Sequence, residues 1–152
     1  MSVPILYATK GGATSTTSVD LSNTYLDWAQ QNFALNNIAG NTHHLVRANC
    51  SEWLAHPRSP YGLIFLAPPT FSNSTRRDNV CGLQQDYIPL VEKCADLLTP
   101  DGILFFSTNV RRFKFNPAAF PGLRSENISW MTIPQDFARD PRVHQTWKIV
   151  RR

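Results

Sequence analysis

Residues 61–71 read YGLIFLAPPTF, and the fold turns on how this stretch is understood. Tyr61 to Ala67 is a nearly unbroken apolar run, the pattern of a central strand covered on both faces, as in a parallel sheet. Pro68-Pro69 must end it, because neither residue has an N–H to give to a ladder. A buried strand that stops at a stiff loop matters for function as well as fold. Open α/β sheets bind their ligands beyond the carboxyl ends of such strands.

Working outward, helix-like and strand-like segments alternate, which predicts an α/β domain with a mostly parallel sheet. Upstream, Thr16 to Val19 is a β-branched run ending at Asp20 and reads as a short strand. Ser22 is placed to cap a helix running to about Asn36, with Tyr25, Trp28, Ala29, Phe33 and Leu35 at roughly helical spacing. His43 to Ala48 is a second strand, and Ser51 to Ala55 a short helix ended by Pro57. Downstream, Gln84 to Leu98 has helical periodicity, but Pro89 predicts a regular start near that residue or a kink. Thr99-Pro100-Asp101-Gly102 reads as a turn and Ile103 to Ser107 as another strand. Asn127 to Ile133 and Thr146 to Val150 are expected to form an antiparallel pair at the edge of the sheet.

The chain has 152 residues, enough for one domain, and 42% of them are hydrophobic, enough for a real core. Three cysteines, Cys50, Cys81 and Cys94, form no CxxC pair, which favours reduced thiols in a cytoplasmic protein over a disulfide framework. No apolar stretch approaches the roughly 20 residues that a bilayer span needs. The net charge of +4 comes with basic pairs at Arg76-Arg77, Arg111-Arg112 and Arg151-Arg152, and with Lys114, Arg139 and Arg142. Such pairs can neutralise phosphates, and equally can be a solvated surface. Trp28, Trp53, Trp130 and Trp147 are expected in the core. Asp136, Arg139 and His144 suit an ion-paired loop as well as they suit RNA contact.

Two features carry chemistry. Asp20, at the carboxyl end of an early strand, is placed to accept from both hydroxyls of a ribose, although it also suits a helix-capping role beside Ser22. After the apolar run, Phe71 can stack on a base, which contributes about 1–3 kcal/mol in nucleic-acid sites. Ser72, Asn73 and Ser74 offer hydrogen-bonding groups beside it. His43-His44, His56 and His144 lack metal-ligand spacing with the cysteines, so no metal is expected. Gly11-Gly12 is not followed by a phosphate-loop motif, and no GxSxG surrounds the serines.

The segments TSTTSVDLSNTYLDWAQQNFALN, LVRANCSEWL, LIFLAPPTFSNS, DGILFFSTN and PQDFARDPRVHQTWKI occur in the order found in a known family. Together they resemble the bacterial RlmK/RlmL-type large-subunit rRNA guanine methyltransferases, over nearly the whole chain. The resemblance implies a Rossmann-like class I methyltransferase fold, in which residues 1–152 form a single, partial domain. It implies S-adenosylmethionine as donor and guanine, at N7, of large-subunit rRNA as acceptor. By the same resemblance Asp20 binds the cofactor ribose, Asn49 and Cys50 lie beside the adenine, and Ala67 adjoins the methyl. Pro68, Pro69 and Phe71 line the transfer pocket, and Thr70, Phe71, Ser72 and Asn73 hold the base.

Three departures accompany the likeness. The family's first strand and glycine-containing cofactor loop, expected before GGATSTT, are not in these residues, so a missing N-terminal half is a further expected partner. Asn49 stands where the family usually has Asp, and its amide oxygen can still accept from the adenine amine. Ala67 stands where the family has Asp. These departures leave a second expectation open: a truncated or degenerate relative without activity, retained as an RNA-binding remnant.

Overall fold

The computed structural model describes residues 3–38, 40–56, 59–68, 79–137, 139–140 and 143–152. The chain divides into two compact units, residues 1–57 and 58–152.

The first unit opens with α1, Val3–Lys10. Gly12, at φ +93°, adopts the left-handed backbone that turns the chain out of this helix. β1, Thr16–Asp20, and β2, His43–Arg47, pair in parallel, with Thr16 opposite His43 and Asp20 opposite Arg47. Between them runs α2, Asn23–Leu35, capped as its sequence predicts: Ser22 Oγ accepts from the Tyr25 N–H. Ala29 and Phe33 are its buried residues. Trp28, on the same helix, is 51% exposed, contrary to its expected place in the core. α3, Cys50–Trp53, is a single turn.

The second unit is a four-stranded sheet in the order β3-β4-β6-β5. β3 spans Tyr61–Leu66 and β4 Leu98–Thr108, and these two are parallel. β5, Leu123–Asn127, and β6, Gln145–Arg151, complete it as antiparallel strands. The antiparallel edge is therefore as expected, but its outer strand is not the Asn127 to Ile133 segment. Ser129–Thr132 is instead a helical turn, α5. Nor is β3 central within this unit. It is an edge strand of the sheet, with Leu63 and Phe65 about half exposed.

Two further expectations are corrected. The helix α4 spans Asn79–Asp96 and passes through Pro89 instead of starting there. A proline inside a helix costs about 3 kcal/mol or more. Burial of Leu83, Tyr87, Val91 and Cys94, on both sides of Pro89, offsets that cost. Thr99 to Gly102 is not a free turn either. It is a bulge inside β4, because Tyr61 and Leu63 lie opposite Leu98 and Ile103. A Cβ at Gly102 would meet the Thr99 and Tyr61 carbonyl oxygens at 3.0 Å, so the close approach there requires glycine.

The core of this unit is aromatic. Tyr87 on α4 meets Phe106, Phe113, Phe115 and Phe120, and Phe106 and Phe113 both meet Trp147. Phe106, Leu104 and Ile149 are fully buried. The Tyr87 hydroxyl accepts from the Asn116 N–H at 3.0 Å, so its polar end is satisfied. No helix among the described residues is long and apolar enough to cross a membrane.

Candidate functional site

In the first unit, β1 and β2 are parallel and deliver their carboxyl ends to one edge. Asp20 is the last residue of β1, and the Ala48 N–H donates to its carbonyl oxygen at 3.2 Å, extending the pairing one residue past β2. One carboxylate oxygen of Asp20 accepts from the Ser22 N–H at 2.8 Å. This bond fixes the side chain at the strand-to-helix turn. Its second oxygen makes no hydrogen bond to the described residues. Capping and ligand binding are thus compatible here, because a carboxylate has two oxygens.

Asn49 follows β2 by two residues and is the N-cap of α3. Its Oδ1 accepts from the N–H groups of Ser51, at 2.9 Å, and Glu52, at 3.4 Å. Both lone pairs of the amide oxygen are engaged, so the polar group that remains is Nδ2, which can only donate. The chemistry toward an adenine therefore changes: this side chain suits a ring nitrogen better than the exocyclic amine. Cys50 is half-buried, and desolvation raises its thiol pKa above the usual value. It is a neutral, apolar neighbour and not a thiolate.

In the second unit, β3 and β4 also end side by side, with Leu66 opposite Phe106. Ala67 and Pro68 follow directly, Ala67 exposed and Pro68 partly so. Pro69, Thr70, Phe71, Ser72 and Asn73 lie outside the described residues, as do Arg76, Arg77 and Arg142.

Sequence reading missed the segment that follows β4. Residues 109–116 form a loop at the same sheet edge as Pro68, and it is pinned at many points. Thr108 Oγ1 accepts from the Val110 N–H, and Gln145 donates to the carbonyls of Val110 and Phe113. Gln84 on α4 holds Lys114 twice, donating to its carbonyl at 2.7 Å and accepting from its N–H at 2.9 Å. The signal was present in the alternation Arg112-Phe113-Lys114-Phe115. It is too short to identify without the helix and strand that hold it.

The structure also separates the basic pairs. The Arg151 guanidinium donates to the carbonyls of Ala95, at 2.7 and 3.2 Å, and of Asp96, at 3.1 Å, closing the end of α4. Arg111 pairs with Asp140 at 3.0 Å. The ion pair of the C-terminal loop is thus made by Asp140, while His144 shares a hydrogen bond with Thr132. Trp147 is buried as expected, whereas Trp130 is 77% exposed. Among the described residues, no three His, Cys, Asp or Glu side chains gather as metal ligands.

No family model matches the chain. Curated proteins do match it closely. The chain is 49% identical over 148 residues to the ribosomal RNA large subunit methyltransferase K/L of Methylococcus capsulatus, covering 95% of this chain and 20% of that protein. It is 46% identical over 147 residues to the protein of the same name from Syntrophotalea carbinolica, covering 97% and 21%. The chain is a homologue of one segment of the K/L methyltransferases. It spans about a fifth of the length of these K/L relatives.

Solved structures agree on the fold. SMU.776, solved complexed with SAH, superposes with a TM-score of 0.78 at 23% identity, over 95% of this chain and 41% of that one. A SAM-dependent methyltransferase from Agrobacterium tumefaciens gives 0.72 at 17% identity, over 98% and 52%. TrmN from Thermus thermophilus gives 0.65 at 18%, over 99% and 40%. The fold is that of the class I methyltransferases, in keeping with the K/L homology and with the alternation of helices and strands.

Proposed function

We propose that this K/L homologue is part of a cytoplasmic S-adenosylmethionine-dependent methyltransferase that modifies guanine, at N7, in large-subunit rRNA. The observation that carries this reading is the 49% identity over 148 residues to a protein named for that class of reaction. Residues 1–152 are taken as part of one methyltransferase domain. Support for that comes from solved structures in which a single chain superposes on 95% or more of these residues.

The residues present fit the donor. The unengaged oxygen of Asp20 suits a ribose hydroxyl, Asn49 Nδ2 suits a ring nitrogen of adenine, and half-buried Cys50 suits its apolar face. S-adenosylmethionine supplies an electrophilic methyl on a sulfonium. The protein's contribution to such a displacement is mainly positioning. Guanine N7 has an in-plane lone pair and no proton to lose, so this chain needs no general base, and Ala67 in place of a carboxylate is compatible with transfer to that atom. Ala67, Pro68 and Pro69 are assigned to the pocket wall. Phe71 is assigned to stacking on the acceptor base, and Thr70, Ser72 and Asn73 to hydrogen bonds with it.

The second reading is an inactive relative that binds RNA. It is favoured by Ala67, which offers only a methyl group at the end of β3. One experiment separates the two: calorimetry of the full chain with SAH, followed by labelled methyl transfer to unmodified large-subunit rRNA. The primary reading expects SAH binding and a label on guanine N7, revealed by reduction and aniline scission. Label on another guanine atom overturns the N7 assignment. No transfer by this chain, either alone or joined to the rest of a K/L-length protein, despite RNA binding, overturns the enzymatic reading and leaves the second.

A further inference from the structure

We propose that the 109–116 loop is a preformed cradle for an RNA phosphodiester backbone, with Arg112 and Lys114 as its principal cations. This rests on the reading of the chain as an rRNA-directed protein. It adds which surface meets the phosphates.

The cations of the chain fall into committed and uncommitted groups. Arg151 is committed to the end of α4. Arg111 has a carboxylate partner, although its side chain is 65% exposed, and such surface pairs are weak and open to exchange. Arg112 and Lys114 are exposed, and neither makes an ion pair with the described residues. Arg139, also exposed, adjoins Asp140, the partner of Arg111. Four cations thus belong to this neighbourhood, against the two carboxylates of the following segment, Asp136 and Asp140.

The loop itself is built rather than loose. Phe113 is 4% exposed and lies edge-on to Tyr87 and Trp147. Phe115 stacks on Trp147 with ring centroids 4.9 Å apart. Two inward aromatics at alternate positions force Arg112 and Lys114 outward. The Gln84 and Gln145 hydrogen bonds then fix the backbone between them. A binding surface whose backbone is already ordered loses little entropy when it engages a ligand.

The loop also lies in the right place. The loop leaves β4 at the edge where β3 delivers Ala67 and Pro68, so cations and candidate base pocket share one end of this unit's sheet. Phosphate contacts position a nucleic acid, and base contacts then specify it. A cradle beside the pocket divides these tasks between two loops.

The test is salt-dependent binding of the full chain to a labelled large-subunit rRNA fragment. R112Q and K114Q are each expected to reduce the slope of log Kd against log salt by about 0.7, the single-strand value for one lost phosphate contact. K114R should restore the wild-type slope. R152Q removes an equal charge just past the far end of β6, at the opposite end of the strands from the loop, and should leave the slope unchanged. Unchanged slopes in R112Q and K114Q, or an equal loss in R152Q, overturn the cradle. SAH calorimetry keeps the two proposals apart. Loss of SAH binding in the wild type would sink the methyltransferase reading, whereas the slopes judge the cradle alone.

Discussion

At the residue scale, Asn49 shows how one amide can serve a fold and limit a site. Its oxygen is engaged by two backbone N–H groups of α3, leaving only a donor for any ligand. Asn49→Asp would keep the cap, since Asp is an equally good N-cap, and would turn the remaining group into an acceptor. If Nδ2 donates to an adenine ring nitrogen, SAH should bind roughly 5- to 10-fold more weakly, about the worth of one hydrogen bond. Thermal stability should hold or rise slightly. Calorimetry on the two proteins decides it, and tighter binding would place the exocyclic amine here instead of a ring nitrogen. Cys50 carries a pH consequence. Burial raises its pKa, so its alkylation, followed on its own peptide, should accelerate only above the range of a free thiol. The unfolded chain loses that proton first, so stability should fall as pH climbs above about 8.5, the unfolded value, toward the folded one.

At the element scale, the strands that the sequence made legible are those that carry adjacent apolar or β-branched residues, whether or not these end up buried. Thr16–Asp20, His43–Arg47 and Tyr61–Leu66 are all within a residue of their expected bounds. β5 was not legible, because Leu123-Arg124-Ser125-Glu126-Asn127 has no apolar run. It is a strand because β6 pairs with it from Leu123↔Arg151 to Asn127↔Trp147. The apolar residues just after it belong to a helical turn, where Ile128 is buried and Trp130 is exposed. Pro89 misled for a related reason: local propensity is overridden when a whole helix face is buried. Of the expected site residues, Asp20, Asn49, Cys50, Ala67 and Pro68 lie at or just after strand ends among the described residues, whereas Gln84 and Gln145, which hold the 109–116 loop, have no signal in their own neighbourhoods. The role of Arg151 was hidden, since its target lies more than fifty residues away in sequence. Removing it leaves two carbonyls of α4 without their charged donor. R151A should lower stability by roughly 1.5–3 kcal/mol, the usual range for a hydrogen bond to a charged group. R152Q, beside it, should change stability by less than about 0.5 kcal/mol. Denaturant midpoints for the two variants test this, and equal effects would mean that the clamp contributes nothing particular.

At the scale of the molecule, the sheet of the second unit is finished on one face and open on the other. The side toward Tyr87 buries Leu104, Phe106, Trp147 and Ile149. On the opposite side, the antiparallel half presents Lys148, opposite Glu126, together with Arg124, a mixed surface that water can solvate. The parallel half of that side presents Leu63 opposite Ile103 and Phe65 opposite Phe105. Antiparallel sheets commonly leave one face to water, whereas parallel ones are covered on both. The apolar surface is thus confined to the half where coverage is the rule. The edges show the same contrast, for β5 carries charges that discourage further pairing, while β3 has neither charge nor proline along its length. This chain should therefore bind a hydrophobic dye in its native state and self-associate as its concentration rises. Leu63→Thr with Phe65→Thr should reduce both, because the β-branched replacements keep strand propensity while removing apolar surface. The melting temperature should change by only a few degrees, since neither side chain is buried. Dye fluorescence and light scattering across a concentration series give the answer. If the double variant associates as strongly as the parent, the exposed parallel face is not what brings copies together, and the outer edge of β3 becomes the surface to block next.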